Sequence, residues 1–186
     1  MAEPSEFNLL RTVVLCVLLI AVGTSLAYGV PAWLHRRHAA EAIDMLGKLS
    51  RAASVYYVKP RGDAHGNRML CQFPRGEIRT TLAPSCCDPT VALDGGNNCD
   101  PTKLVWNRTL WKTLRFELAD PHPFVYEYKA SGVLGDARFE VSAYGDLDCD
   151  GVYSTFRFMG KGDPDSRHDD CVLRTTPDFV AINEGE

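Results

Sequence analysis

No GxSxG elbow, HExxH helix, phosphate-binding P-loop or dinucleotide glycine fingerprint occurs in the 186 residues. The chemistries that those patterns organise therefore have no sequence signature here. Cationic excess is missing too: the formal net charge is −4, and apart from one short patch the lysines and arginines are scattered, which argues against a nucleic-acid partner. The cysteines form no paired CxxC knuckles, which weighs against a structural zinc site. His122, between Pro121 and Pro123, and His168, beside Asp169 and Asp170, are the only bases worth considering, and both read as solvated loop histidines. Asn107-Arg108-Thr109 fits a glycosylation sequon and is read as chance.

Charge is absent altogether from Val13 to Val30, a run closed by Pro31 and the basic cluster His35-Arg36-Arg37-His38. A stretch of about 18 apolar or small residues reaches across a hydrocarbon core, so a membrane anchor is the first expectation. The chain then divides into a short leader 1–12, an apolar helix half 13–31 and a head 32–186, long enough for one domain with a modest core. A cleaved signal peptide is the competing account, with Val13 to Leu26 as the apolar region and Ser25-Leu26-Ala27 as the cleavage site. The acidic leader, with Glu3 and Glu6, and the helical pattern that continues past such a cut oppose it.

Cys16 lies in the apolar run, where a thiol behaves as a small hydrophobe. Cys71, Cys86, Cys87, Cys99, Cys149 and Cys171 fall in the head, an even number that favours disulfides in an oxidising compartment. Arg36 and Arg37 after the anchor would put the head in the cytoplasm by the positive-inside rule. Six structural thiols outweigh that bias, so the head is placed outside. Adjacent Cys86 and Cys87 cannot easily bond to each other, so each reaches a different partner. We expect Cys149 to pair with Cys171, and Cys99 with Cys86 or Cys87; a zinc site using Cys86, Cys87, Cys99 and His65 is the alternative.

From Ala32 to Tyr57 there is no proline and one glycine, Gly47, with apolar groups at Ala39, Ala42, Ile43, Leu46, Leu49, Ala53 and Tyr56. Those spacings make one helical stripe. Joined to the anchor, the helix runs from Val13 to Tyr57, about 45 residues or roughly 68 Å, with a bend expected near Pro31 and an end at Lys59-Pro60-Arg61-Gly62-Asp63. Gly62 to Pro101 reads as a long disulfide-stapled loop and Thr109 to Leu114 as a short helix. Trp106 and Trp111 read as core anchors. Phe124 to Lys129, Arg138 to Ala143 and Val152 to Met159 alternate like strands of an antiparallel meander, whose apolar face the long helix would cover.

That outline is α+β: a long bent N-terminal helix packed on a small antiparallel sheet, with disulfide-pinned loops. It resembles a type IV pilin or pseudopilin. Aligned on Pro31, Val13 to Trp33 is similar to the pilin helix without a gap: Gly23 and Ala27 fall at small positions, Pro31-Ala32-Trp33 matches, and His35-Arg36-Arg37 follows. Cys86-Cys87-Asp88-Pro89, Leu110-Trp111-Lys112-Thr113-Leu114, Asp120-Pro121-His122 and Gly145-Asp146-Leu147-Asp148-Cys149-Asp150-Gly151 resemble a branch of bacterial pilin-like proteins. The resemblance implies a non-enzymatic subunit anchored in the inner membrane, its head extracytoplasmic or on an extracellular filament, assembling with itself or with other pilin-like subunits through the helix. Ala21, Gly23, Ala27 and Gly29 would permit close helix approach. One departure bears on its role. Where the family has a glycine-aromatic cleavage site and a glutamate at the fifth mature position, this chain has Leu9-Leu10 and Val14, with Phe7 and Glu6 out of register. An uncleaved chain, or a minor or tip subunit, fits that difference.

The sharpest chemical motif is Asp146-x-Asp148-x-Asp150-Gly151, with carboxylates at positions one, three and five of an EF-hand-like loop and glycine at six. Val152 could add a carbonyl at seven and Ser154 a hydroxyl or water at nine, but Arg157 stands at twelve where a bidentate carboxylate is expected. Calcium is the expected ion, an acidic turn tied down by Cys149 the plain alternative. The second functional reading is therefore a membrane-anchored or secreted calcium-dependent binding module.

Overall fold

The computed structural model of the chain describes residues 4–62, 65–168, 170–173 and 177–184; within the first helix the side chains of residues 4–8, 10, 26, 28, 31, 32 and 34–36 lie outside the description. The element order is α1 (Pro4–Val58), β1 (Gly76–Arg79), α2 (Thr109–Leu114), β2 (Phe124–Ser131), β3 (Arg138–Gly145), β4 (Ser154–Lys161) and β5 (Asp178–Ile182). The chain forms two compact units, Met1–Arg37 and His38–Glu186.

In the first unit α1 begins at Pro4, nine positions ahead of the apolar run, because the leader has no glycine or further proline to stop a helix. Pro31 lies inside the helix and does not end it. Val13, Val14, Val17, Leu18, Ile20 and Val22 are all exposed, on every side of the helix. Among the described residues no helix is long and apolar enough to cross a membrane. The apolar run includes Leu26 and Tyr28, whose side chains are among those outside the description.

The second unit is α+β, with the hind part of α1 packed on a five-stranded antiparallel sheet of order β1-β2-β3-β4-β5. Ala42, Leu46, Leu49, Ala53 and Tyr57 are buried on the helix, at steps of four, three, four and four. Tyr57 takes the last place in the stripe, not Tyr56, and its hydroxyl donates to Leu134 O at 2.9 Å. Facing the helix are Phe124, Tyr126 and Tyr128 of β2, Phe139, Val141 and Ala143 of β3, and Phe156 of β4. Phe124 lies opposite Gly145 and Phe139 opposite Gly160. At either glycine a Cβ would stand 2.5 or 2.2 Å from the facing ring, so the missing side chain lets the aromatic lie flat across the neighbouring strand.

The sheet's other face is laced with charge. Glu127 is buried there, with its carboxylate held by Lys129 at 3.2 Å, by Arg79 at 3.8 Å and by the Tyr144 hydroxyl at 3.0 Å. The long segment expected to be wholly loop contains β1, and a fifth strand was not foreseen near the C-terminus.

Three disulfides pin the loops: Cys71–Cys171, Cys86–Cys99 and Cys87–Cys149, with Cα separations of 5.4, 4.6 and 5.7 Å. Such bonds place this head in an oxidising, extracytoplasmic setting. The expected Cys149–Cys171 pair is corrected, and the open choice for Cys99 falls on Cys86. Proximity in sequence does not decide the pairing: Cys149, in the middle of the β3–β4 loop, meets Cys87, whereas Cys171 returns beside Cys71. With Cys86, Cys87 and Cys99 all committed to disulfides, no thiolates remain for the zinc alternative with His65, which is exposed.

Candidate metal site

The loop at 146–153 joins β3 to β4 and is folded by its own carboxylates. Asp146 Oδ2 accepts from Gly151 N at 3.3 Å, Asp148 Oδ1 from Asp150 N at 3.3 Å and Asp150 Oδ1 from Val152 N at 2.7 Å. Each short acidic side chain thus caps an amide a few residues on, the local bonding that aspartate favours in turns. Gly151 (φ 89°) supplies the left-handed step, and Cys149 adopts φ 64° within the same turn.

One carboxylate oxygen from each of Asp146, Asp148 and Asp150 lies within 4.8 Å of the others. The three are unequal. Asp148 and Asp150 are exposed, whereas Asp146 is 4% exposed and its Oδ1 is buried with no hydrogen-bond partner. A carboxylate oxygen out of water without a donor is costly, and a cation is one of the few things that would satisfy it. Hard divalent ions take oxygen ligands, so an exposed aspartate triad of this kind could hold one.

The remaining expected ligands are placed less favourably. The Val152 amide donates to Asp150 Oδ1 at 2.7 Å, so one carboxylate oxygen of the triad is already engaged by the residue expected to supply a carbonyl. Ser154 is buried and its hydroxyl donates to Asn183 O at 3.0 Å, so β5's end holds the side chain that was expected to face the ion. Arg157 points to the sheet's charged face, where its Nε lies 3.2 Å from Glu140 Oε1. The twelfth position therefore contributes nothing to the loop. Two further residues fix the loop from outside: Asn97 donates to Leu147 O, and Cys87 Sγ lies 3.1 Å from Asp146 O. Local sequence pattern carries neither contact, since both come from a segment fifty or more positions away.

No family model, curated protein or solved structure matches this chain.

The histidines separate. His168 is exposed, as expected of a loop. His122 is corrected: it is 1% exposed, packed between Trp106 and Tyr126, with Nδ1 2.9 Å from Asp120 O and a buried, unpartnered Nε2. Its two prolines hold it at the entrance to β2, where the chain turns inward. Trp111 is fully buried and Trp106 half-buried, its indole donating to Pro101 O, so both serve the core. Burial pushes the His122 pKa below its ordinary 6.5, with the Asp120 carbonyl and Glu41 opposing. The unfolded chain therefore binds the proton first, and stability is lost as pH falls below about 6.5. Urea unfolding midpoints at pH 7.5, 6.5 and 5.5 should fall progressively, and more steeply than in His122→Phe. Parallel slopes for the two proteins would show that this ring does not carry the effect.

Proposed function

We propose that this chain is a pilin-like structural subunit, anchored in a membrane and assembling through its N-terminal helix into a type IV pilus or a type II secretion-like filament, as a minor or tip subunit. The observation that carries this reading is the contrast along α1. Its front part exposes apolar side chains on all sides, including Val13, Val17, Ile20 and Val22, while its hind part is buried under the sheet at Leu46, Leu49 and Ala53. A helix apolar all round needs lipid or other helices around it. A Cβ at Gly23 or Gly29 would meet nothing within 4 Å, so packing within this chain does not require either glycine, and small residues on such a helix suit close approach of another helix. The order of elements, a helix before an antiparallel meander with disulfide-held loops, agrees with the sequence resemblance to pilins.

The test is fractionation of the native host followed by mass spectrometry of the N-terminus. The full-length chain is expected in the carbonate-resistant membrane and in sheared surface filaments, co-purifying with other subunits, and a chain lacking residues 1–30 is expected in neither. A soluble form with a new terminus at Tyr28 would overturn the reading.

A second reading, a calcium-dependent binding module, is favoured by the orphaned Asp146 Oδ1. Calorimetric titration should give weak calcium binding, because three carboxylates without a bidentate partner at position twelve leave the ion largely hydrated. Asp148→Ala should abolish it; equal heats from the two proteins would dismiss the site.

A further inference from the structure

The cation loop is not built from its own residues alone. Cys149 stands between Asp148 and Asp150, and its sulfur is bonded to Cys87. Cys87 Sγ in turn lies 3.1 Å from the carbonyl of Asp146, the one buried member of the triad. Cys87 is itself held from behind, because its neighbour Cys86 is bonded to Cys99 and both of those are buried. So the disulfide ties the exposed half of the acidic loop to a fixed wall, at the point where the buried carboxylate also rests. Cys149 is exposed and Cys87 half-buried, so a reductant reaches this pair more readily than Cys86–Cys99, whose two residues are both buried.

We propose that the Cys87–Cys149 disulfide and the triad Asp146, Asp148, Asp150 form one redox-coupled cation site: oxidation presets the loop for a divalent cation, and a bound cation shields the disulfide from reduction. The inference rests on the calcium reading above. Bringing three carboxylates within 4.8 Å of one another costs chain entropy and charge repulsion. The disulfide meets the entropic part before the ion arrives, which is how preorganisation raises affinity. Reciprocity then requires the ion to favour the oxidised loop by the same factor by which oxidation favours the ion. Reduction by a dithiol is balanced: two electrons and two protons pass to the cystine, leaving Cys87 and Cys149 as thiols and the reagent as its cyclic disulfide. Freed of its tether, the segment at 148–150 has only its own turn bonds to hold it.

The experiment uses the full-length protein in detergent, with limiting dithiothreitol, in calcium or in chelator, freed thiols being alkylated and mapped by mass spectrometry. Calcium should slow the release of Cys87 and Cys149 about tenfold, a typical coupling between linked sites, with the rates for Cys71–Cys171 and Cys86–Cys99 unchanged. Asp146→Asn should remove that protection, and a Cys87→Ser/Cys149→Ser variant should bind calcium about tenfold more weakly than the oxidised protein. Calcium binding by calorimetry without any change in release rate would overturn the coupling while leaving the site intact. Equal slowing of all three disulfides would also overturn it, as general stabilisation. No calcium binding to the oxidised protein would remove the site and the coupling together.

Discussion

Replacing Cys71 and Cys171 by alanine is expected to lower unfolding stability by about 4 kcal/mol. The pair is 100 residues apart, the longest closure in the chain. Taken alone, such a loop would be worth nearly 5 kcal/mol by chain entropy, but Cys87–Cys149 lies inside it and short-circuits the path, so the freedom regained on cutting is that of a loop roughly forty residues long. Cys71 is also 2% exposed within the core, which adds a small packing loss. By the same reasoning Cys86–Cys99, which spans 13 residues, should cost less, about 3 kcal/mol. Urea unfolding of the two double variants, followed by tyrosine and tryptophan fluorescence, measures both. A loss below about 1 kcal/mol for the longer loop would mean that the reduced unfolded chain keeps the two ends together.

The residues that were legible in sequence are those whose environment is set locally. The stripe Ala42, Leu46, Leu49, Ala53 repeats at helical steps because one face of α1 meets one sheet. Likewise β2 and β3 alternate aromatic and charged residues because their two faces differ. The alternation predicts β4 from Val152, and the strand begins at Ser154 because Asp150 takes the Val152 amide into its turn. Strand β1 carries little sequence signal because Gly76–Arg79 has a single apolar residue, Ile78, its charges serving Glu127 and Lys129 on the outer face. Strand β5, behind Pro177, lies at the sheet edge with Phe179, Val180 and Ile182 exposed, so it carries little alternation. Disulfide pairing and the burial of His122 depend on segments far apart in sequence, which no local pattern encodes. In the acidic loop the spacing gave the three carboxylates, but only the fold distinguishes Asp146, buried and unpartnered, from its two exposed neighbours.

The other large effect is expected at the helix. Leu46→Asp should unseat α1 from the sheet, while Ile43→Asp, three positions away, should change stability by no more than about 0.5 kcal/mol. Leu46 is fully buried among the aromatics of the sheet, and Ile43 is 37% exposed. Truncating the buried leucine alone costs about 2–5 kcal/mol, and the carboxylate would add the price of burying a charge without a partner. Together these approach the whole margin of a domain this size, so the expected product is not a slightly weaker head but one whose helix no longer packs. Near-UV circular dichroism would collapse and backbone amides of residues 42–57 would lose exchange protection, whereas far-UV signal would persist in part. Retention of the near-UV spectrum by Leu46→Asp would refute the packing. If the hind part of α1 is spent on the sheet, only the front part, with its exposed valines and leucines, remains to meet lipid or other subunits; Val17→Arg should therefore leave the head's unfolding midpoint unchanged while removing the chain from the membrane fraction.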